Sequence, residues 1–460
     1  MRVRFLLAIT LLGPGGRSAH AQSSEGHRET RDRYELSAHS ETHAELFRRA
    51  LLPGPNGSLV STDPIAPLYE YVTISARDVD MAWRKDSVDL EFAAWGRVWI
   101  GARDSERRLE GDVQVASARY RHGPVWLRFG RQVVAGGAAR FARFDGVDAQ
   151  AELGSGFEAS AYGGFTVLPR WNQRPRYEQL GAPADSLQRD EATLESAARG
   201  KYWLAGARLG WAAASLRAGL SFHEQREAAG LSRRSLGLEG RTALSRLAGL
   251  GGNAVLDLDR IRFADARLWL DVTPIRVIDV SLEYLHTQPA LFLSHQSVLS
   301  VFGSTAYDEV GSYAHVRPES TLAFEGAAFV QRYDGERPGA RGELAVRWLS
   351  DSRSRTYMRV AYARVLAPEN GYHSLRSSLA RRLSARFRAT LEAYAYWYDH
   401  AIRGYRSSTV NAGTLSFDAS ERVSLLWGAS LAHSPYASLD AQTTLRISVS
   451  LDASRSEAAR

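Results

Sequence analysis

Residues 387–398 read Phe-Arg-Ala-Thr-Leu-Glu-Ala-Tyr-Ala-Tyr-Trp-Tyr. Phe387, Ala389, Leu391, Ala393, Ala395 and Trp397 fall on one side of a two-residue period, and Arg388, Thr390, Glu392, Tyr394, Tyr396 and Tyr398 on the other. A helix would scatter both sets around its circumference, whereas a β-strand separates them cleanly. The stretch is apolar on one face and polar on the other, at roughly the ten-residue length of a strand that crosses a bilayer at a tilt.

The same period recurs outward from it. Val88, Leu90, Phe92, Ala94, Val98 and Ile100 oppose Asp89, Glu91, Trp95, Arg97 and Trp99. Leu216, Ala218, Leu220 and Phe222 oppose Arg217, Ser221 and His223, and Leu445, Ile447, Val449 and Leu451 alternate with Arg446, Ser448 and Ser450. The connections alternate in length. Short turns fall near 122–124, 154–156, 213, 318–320 and 384–386, and longer ones near 169–200, 288–305, 333–339, 366–370 and 399–405. Tight turns on one side and long loops on the other are the habit of bacterial membrane barrels. No 40- to 50-residue signature repeat of the propeller kind is present. The expected fold is therefore all-β, a transmembrane up-and-down antiparallel β-barrel with a polar lumen, of about 18 strands (18–20). Counting from Val88 gives 20 strands, and dropping the weakest hairpin, 252–272, gives 18. Residues 68–76 read as an inner-rim segment or a further strand. Trp99, Tyr284, Trp348, Trp397 and Tyr398, near segment ends, suit aromatic girdles at the two membrane interfaces.

The N-terminus carries Arg2 and Arg4, an apolar run from Phe5 to Leu12 and the small-residue site Ala19-His20-Ala21. This is the order of a cleavable signal peptide over residues 1–21. Cysteine is absent, which excludes a lipid-anchored lipoprotein and any disulfide framework. After Leu12 no apolar stretch is long enough for a membrane-spanning helix, so a membrane-embedded chain must cross as a barrel. Residues 22–66 read as a polar periplasmic lead-in or plug with a short helix around Glu41 to Leu52, residues 67–451 as the barrel and 452–460 as a tail. Basic residues number 58 and acidic 51; removing Arg2, Arg4 and Arg17 leaves a small positive balance, too slight for nucleic-acid binding. Lys85 and Lys201 are the only lysines.

The most distinctive stretch is 125–147. Val125, Leu127 and Phe129 set a lipid-facing phase that puts Trp126, Arg128 and Gln132 toward the lumen and leaves Arg131 out of phase. An arginine against lipid at mid-bilayer costs roughly 2 to 4 kcal/mol, so Arg131 must lie at the rim or be turned inward by an irregularity near Gly130. Arg140 and Arg143 stand on opposite phases, and the pattern shifts again at Asp145-Gly146, while Asp148, Gln150 and Glu152 oppose Val147, Ala149 and Ala151 regularly. Two adjacent strands thus carry irregularities beside arginines, which reads either as a functional constriction or as solvated lumen charge with an incidental bulge.

Leu-Arg-Phe-Gly-Arg-Gln at 127–132 and Arg-Phe-Asp-Gly-Val at 143–147 resemble the alginate-export family of outer-membrane porins. The resemblance covers about 25 residues and implies an 18-stranded barrel that conducts an exopolysaccharide, or small organic solutes in related porins, through a lumen lined by arginine and acidic residues. On this reading Arg97, Arg119, Arg128, Arg131, Arg140 and Arg143 attract an anionic or polar chain, with Trp126 and Gln132 beside them. Asp145, Asp148 and Glu152 pair with some of the arginines and keep each contact weak. The expected surroundings are outer-membrane lipid, a polysaccharide or small anionic solute, and a periplasmic polysaccharide-export partner; a diffusion porin for small anionic solutes is the alternative. No cofactor, metal site or catalytic residue is expected. His39 and His43 lack the zinc-protease order, no Gly-x-Ser-x-Gly elbow is present, and a membrane hydrolase is a distant third, since His295 and Ser297 fall in a long loop and not on the lipid-facing wall. N-terminal sequencing of the exported protein should find Gln22 first; an uncleaved Met1 would overturn the signal-peptide assignment.

Overall fold

The computed structural model describes residues 34–51, 66–80, 86–100, 109–167, 202–227, 230–288, 306–350, 355–368, 370–402, 404–435 and 437–455. The stretch expected to be a signal peptide, residues 22–33, the long connections around 168–201 and 289–305, with His295 and Ser297, and the last five residues lie outside them.

Twenty-two strands are described. The first eight are β1 (Tyr34–Leu51), β2 (Ala66–Asp80), β3 (Asp86–Ile100), β4 (Leu109–His122), β5 (Val125–Gly136), β6 (Arg140–Gly154), β7 (Phe157–Thr166) and β8 (Trp203–Ala212). Then come β9 (Leu216–Glu227), β10 (Gly230–Ala243), β11 (Ala248–Asp257), β12 (Arg262–Ile275), β13 (Ile278–Thr287), β14 (Tyr307–Glu319) and β15 (Leu322–Tyr333). The last are β16 (Gly339–Leu349), β17 (Thr356–Leu366), β18 (Tyr372–Arg382), β19 (Phe387–Ile402), β20 (Tyr405–Asp418), β21 (Val423–Ser434) and β22 (Ala437–Arg455). Each pairs antiparallel with its neighbours in the chain. The ring closes where β1 pairs with β22, from Tyr34 opposite Arg455 to Leu51 opposite Ala437. A closed ring leaves no edge, which is the condition for a sheet to stand in hydrocarbon.

Alternation decides what each face meets. Leu344, Val330 and Leu391 are 70%, 63% and 59% exposed on the outer face, while their inward neighbours are polar, as Glu343 and Glu392 illustrate. A surface this apolar on its outside suits lipid, not water. Among the described residues no helix is long and apolar enough to cross a membrane. Aromatic rings mark both ends of the outer belt. Phe157 packs against Trp211 and Phe387 stacks on Phe417 toward the short-turn rim, where Trp348 also points outward; Phe165, Trp203, Tyr284 and Trp397 face outward toward the long-loop rim. Tyr398 departs from the expected girdle: it shares the inward phase and its hydroxyl hydrogen-bonds Ser408 Oγ at 2.7 Å. The side chain of Trp99 lies outside the described residues.

The strand number exceeds the expected 18 to 20. From β3 onward there are 20 strands, including the hairpin of β11 and β12, and two more precede them. Residues 68–76 belong to β2, a full wall strand. The stretch read as a polar lead-in with a helix around Glu41 to Leu52 contains β1, whose outward Leu36 and Leu46 are 42% and 48% exposed. Its inward Glu35, Ser37, His39, Glu41 and His43 made it look like a solvated linker, because a strand lining water needs no apolar inner face. His39 Nδ1 bonds Ser450 Oγ at 2.9 Å, and His43 Nε2 contacts Glu41. At the other end β22 runs on to Arg455, four residues past the expected limit of Leu451.

Placing Leu391→Arg on the outer face of β19 should cost roughly 2 to 4 kcal/mol in urea unfolding of the lipid-inserted protein. Thr390→Arg, one position along and facing inward, should cost less; equal losses would mean that the faces are misassigned.

Candidate functional site

One hairpin leaves the wall. The ladder between β4 and β5 stops at Ala116 opposite Arg131, and that between β6 and β7 stops at Phe144 opposite Thr166, followed by one bond from Val167 N to Arg143 O at 2.9 Å. Yet β5 and β6 stay paired with each other as far as Gly136 opposite Arg140. The backbone of the tip therefore pairs with itself and not with the backbone of the flanking strands. At the point of departure Gly130, Gly146 and Gly164 lie side by side on three strands. A Cβ on Gly130 would sit 2.2 Å from the Ala116 carbonyl oxygen and one on Gly146 2.1 Å from that of Gly163, and Gly130 has φ +105°. Only glycine permits this close, bent crossing.

The tip folds across the inner face onto β9, β10 and β11. Its apex is a short 3-10 turn, Gly137–Ala139. Ala138 N donates to Ser221 Oγ at 2.8 Å, Ser235 Oγ donates to Ala138 O at 3.0 Å, and Arg233 Nη2 donates to Ala139 O at 2.9 Å. Arg140, at φ +57°, reaches Asp265 of β12. Gly237 lets the backbone settle, since a Cβ there would come within 2.4 Å of Ala138 N. Beneath the tip, Val134, Ala139, Ala142 and Phe144 pack on Tyr162 and Leu204 of the wall. Phe144 and Gln132 are completely buried. Tyr162 hydroxyl meets His223 Nδ1 at 2.9 Å. The apex is thus held by hydrogen bonds to wall side chains and by an apolar pad.

Folding inward also explains the broken phase. The face of the tip that would have met lipid now turns inward, carrying Arg131 and Asp145, partly exposed, and Arg143, buried. Arg131 makes a bidentate pair with Asp145, Nε and Nη2 each at 2.8 Å, and its Nη1 donates to Val113 O at 3.0 Å. Arg143 Nη1 lies 2.7 Å from Asp112 Oδ2. Asp112 stands opposite the buried, inward Trp95. The irregularity near Gly130 is therefore the departure of a whole hairpin, and the bulge beside it sits in β4, where the register with β3 shifts at Ala93 and Ala94.

The remaining expected residues spread along the wall. Arg128 faces Asp148 and Arg119 in register and reaches Glu91 at 3.2 Å. Arg119 Nε donates to Asp89 at 2.8 Å and lies 5.8 Å from the Trp126 ring, toward the short-turn rim. Arg97 is buried, 5.7 Å from the Tyr69 ring. Glu152 stands apart, exposed near the short turn and opposite Glu158. Sequence reasoning missed Asp112, Ser221, Arg233, Ser235 and Asp265. It also missed inward pairs on distant strands: Arg208 with Glu158 and Glu239, Arg341 with Glu309, and Arg359 with Glu325 and Glu343. Their signal was an arginine or glutamate on the polar phase of each strand; which meets which depends on register. Among the described residues no cluster suited to a metal ion is present.

No protein-family model matches the chain, and no curated protein matches it. Among solved structures it is similar to the translocation pore of the P pilus usher PapC, at 8% identity and TM-score 0.44 over 91% of this chain and 99% of that one. It is also similar to Pseudomonas aeruginosa OccK2 (OpdF) in complex with glucuronate, at 10% identity and TM-score 0.41 over 91% and 98%. A third is Acinetobacter baumannii OccAB4, at 7% identity and TM-score 0.37 over 92% and 99%.

Gly237→Val should unseat the apex without breaking the ring. Single-channel conductance is expected to rise while the heat-modifiable gel migration of the folded barrel persists; unchanged conductance in a folded variant would show that the tip does not narrow the passage.

Proposed function

We propose that this chain is an outer-membrane diffusion porin for small, mainly anionic organic solutes, narrowed by the β5–β6 hairpin. The observation that carries it is the inward fold of that hairpin, which presents the partly accessible Arg131 and Asp145 to the lumen, while Arg143 is buried behind them against Asp112. A barrel of roughly 16 to 18 strands already encloses an aqueous channel, and 22 strands enclose a wider one that selects solutes only if something narrows it. Guanidiniums are always charged, so the passage keeps its attraction for anions across the physiological pH range. Each is held by a carboxylate: Arg131 by Asp145, Arg143 by Asp112, Arg119 by Asp89 and Arg128 by Glu91. At Arg119, Arg128 and Arg131 a solute must share the guanidinium with a resident acid and so binds weakly, as conduction requires; the buried Arg143 instead fixes the hairpin to β4. Arg140 lies at the apex, while Arg97, Trp126, Gln132, Asp148 and Glu152 form the supporting wall. The signal-peptide-like order of residues 1–21 supports export to the cell envelope.

Export of an anionic exopolysaccharide, with a periplasmic partner delivering the chain, is the second reading. The wide 22-stranded ring and the motif at 127–147 favour it. Liposome swelling separates the two: uptake through a solute porin should fall steeply from a uronic acid monomer to its oligomers, whereas an export conduit should pass or be occluded by the oligomers. Replacing both Arg128→Ala and Arg131→Ala should lower the anion-to-cation permeability ratio several-fold, read as a reversal-potential shift in a salt gradient. An unmoved ratio would sink the proposed role of these arginines.

A further inference from the structure

Half the ring away from the hairpin root, between β12 and β17, the inner wall holds a recess of about 510 Å3. That lies within the roughly 300 to 1,000 Å3 typical of small-molecule sites. Its walls include Tyr313, Arg341, Arg359, Asp271, Asp279 and Glu325. Tyr313 is the anomaly: an inward aromatic ring left 40% exposed among charged and small side chains. It is held edge-on against Phe329, with centroids 4.7 Å apart at 61°, and the Arg341 guanidinium lies 4.0 Å from the Phe329 centroid. The ring is thus fixed in place before any ligand arrives.

The polar groups around it are equally fixed. Arg341 Nε and Nη2 donate to Glu309 at 2.9 and 2.7 Å, and Arg359 Nη2 reaches Glu325 at 3.0 Å and Glu343 at 2.8 Å. Asp271 accepts from Ser281 Oγ at 2.8 Å, and Asp279 from Thr273 Oγ1 at 2.9 Å and Arg317 at 2.8 Å. Carboxylates outnumber guanidiniums in the lining, and both arginines are already shared between or clamped by acids. A simple anion would meet more negative charge than positive. A hydroxyl both donates and accepts, so it can join such pairs without displacing either partner. The combination of a fixed aromatic face with a rim of charged donors and acceptors matches a ring that has an apolar C–H face and hydroxyls around its edge.

We infer that this recess is a binding subsite for a neutral sugar, which lays its C–H face on Tyr313 and places its hydroxyls among Asp271, Asp279, Glu325 and Arg359. The inference rests on the reading of the barrel as a pore and adds a solute class different from the anions favoured at the hairpin. In a planar bilayer, millimolar maltotriose should cause transient interruptions of the ion current. Tyr313→Ala should weaken the apparent affinity about tenfold, Tyr313→Phe should retain it, and the anion-to-cation permeability ratio should stay the same in all three. Interruptions that are absent, that persist unchanged in Tyr313→Ala, or that arise only with a cationic amine would overturn the sugar subsite. A folded, inserted protein that carries no current would instead overturn the pore reading, and this one with it.

Discussion

A wall strand has one side chain toward lipid for each one toward water, and nearly every feature of this barrel depends on keeping that count. Where it holds, the outer belt is leucine, valine, phenylalanine and alanine, and the lumen receives arginine, aspartate and glutamate. Where it fails, at Arg131, Arg143 and Asp145, the chain cannot stay in the wall, because charged groups would face hydrocarbon. Bending the hairpin through the glycine row at Gly130, Gly146 and Gly164 removes the conflict by turning the offending face inward. The inward hairpin is therefore a product of the same rule that builds the wall.

The fold was legible because a two-residue period survives in a single sequence without knowledge of partners. Leu90, Phe92, Leu220, Leu391 and Leu445 all face outward as their spacing requires, and the alternation of short and long connections fixes which rim is which. β1 was illegible for a physical reason. Its inner positions are Glu35, His39, Glu41 and His43, and its only strongly apolar outward residues in the described range are Leu36 and Leu46, so composition could not separate a lumen-lining strand from a linker. Its identity rests on the ladder to β22, a partner at the far end of the chain.

The candidate site was half legible. The clash of phase at Arg131 and Asp145 was visible, and it located the hairpin. What the clash could not supply was the destination of the tip. Ser221, Ser235 and Arg233 read as ordinary inward residues of β9 and β10, and only the fold brings their side chains to the Ala138 and Ala139 backbone. Asp112 was hidden by a bulge that shifts its phase relative to the rest of β4. Long-range register likewise pairs Arg359 with Glu325 and Glu343.

The seam between β1 and β22 has a consequence for how the molecule comes into being. His39 and Ser450, in contact across it, are 411 positions apart in the chain. Every other ladder joins sequence neighbours and can form as the strands arrive, but this one must wait for the last strand made. Until then the growing sheet has two open edges, each a template for pairing with a foreign strand. The final closure is also the contact with the largest loop-closure entropy, and so the slowest to form unaided. Biogenesis of this barrel is thus a problem of delivering and aligning two chain ends, and substitutions along β1 or β22 should trouble assembly well before they trouble the finished protein.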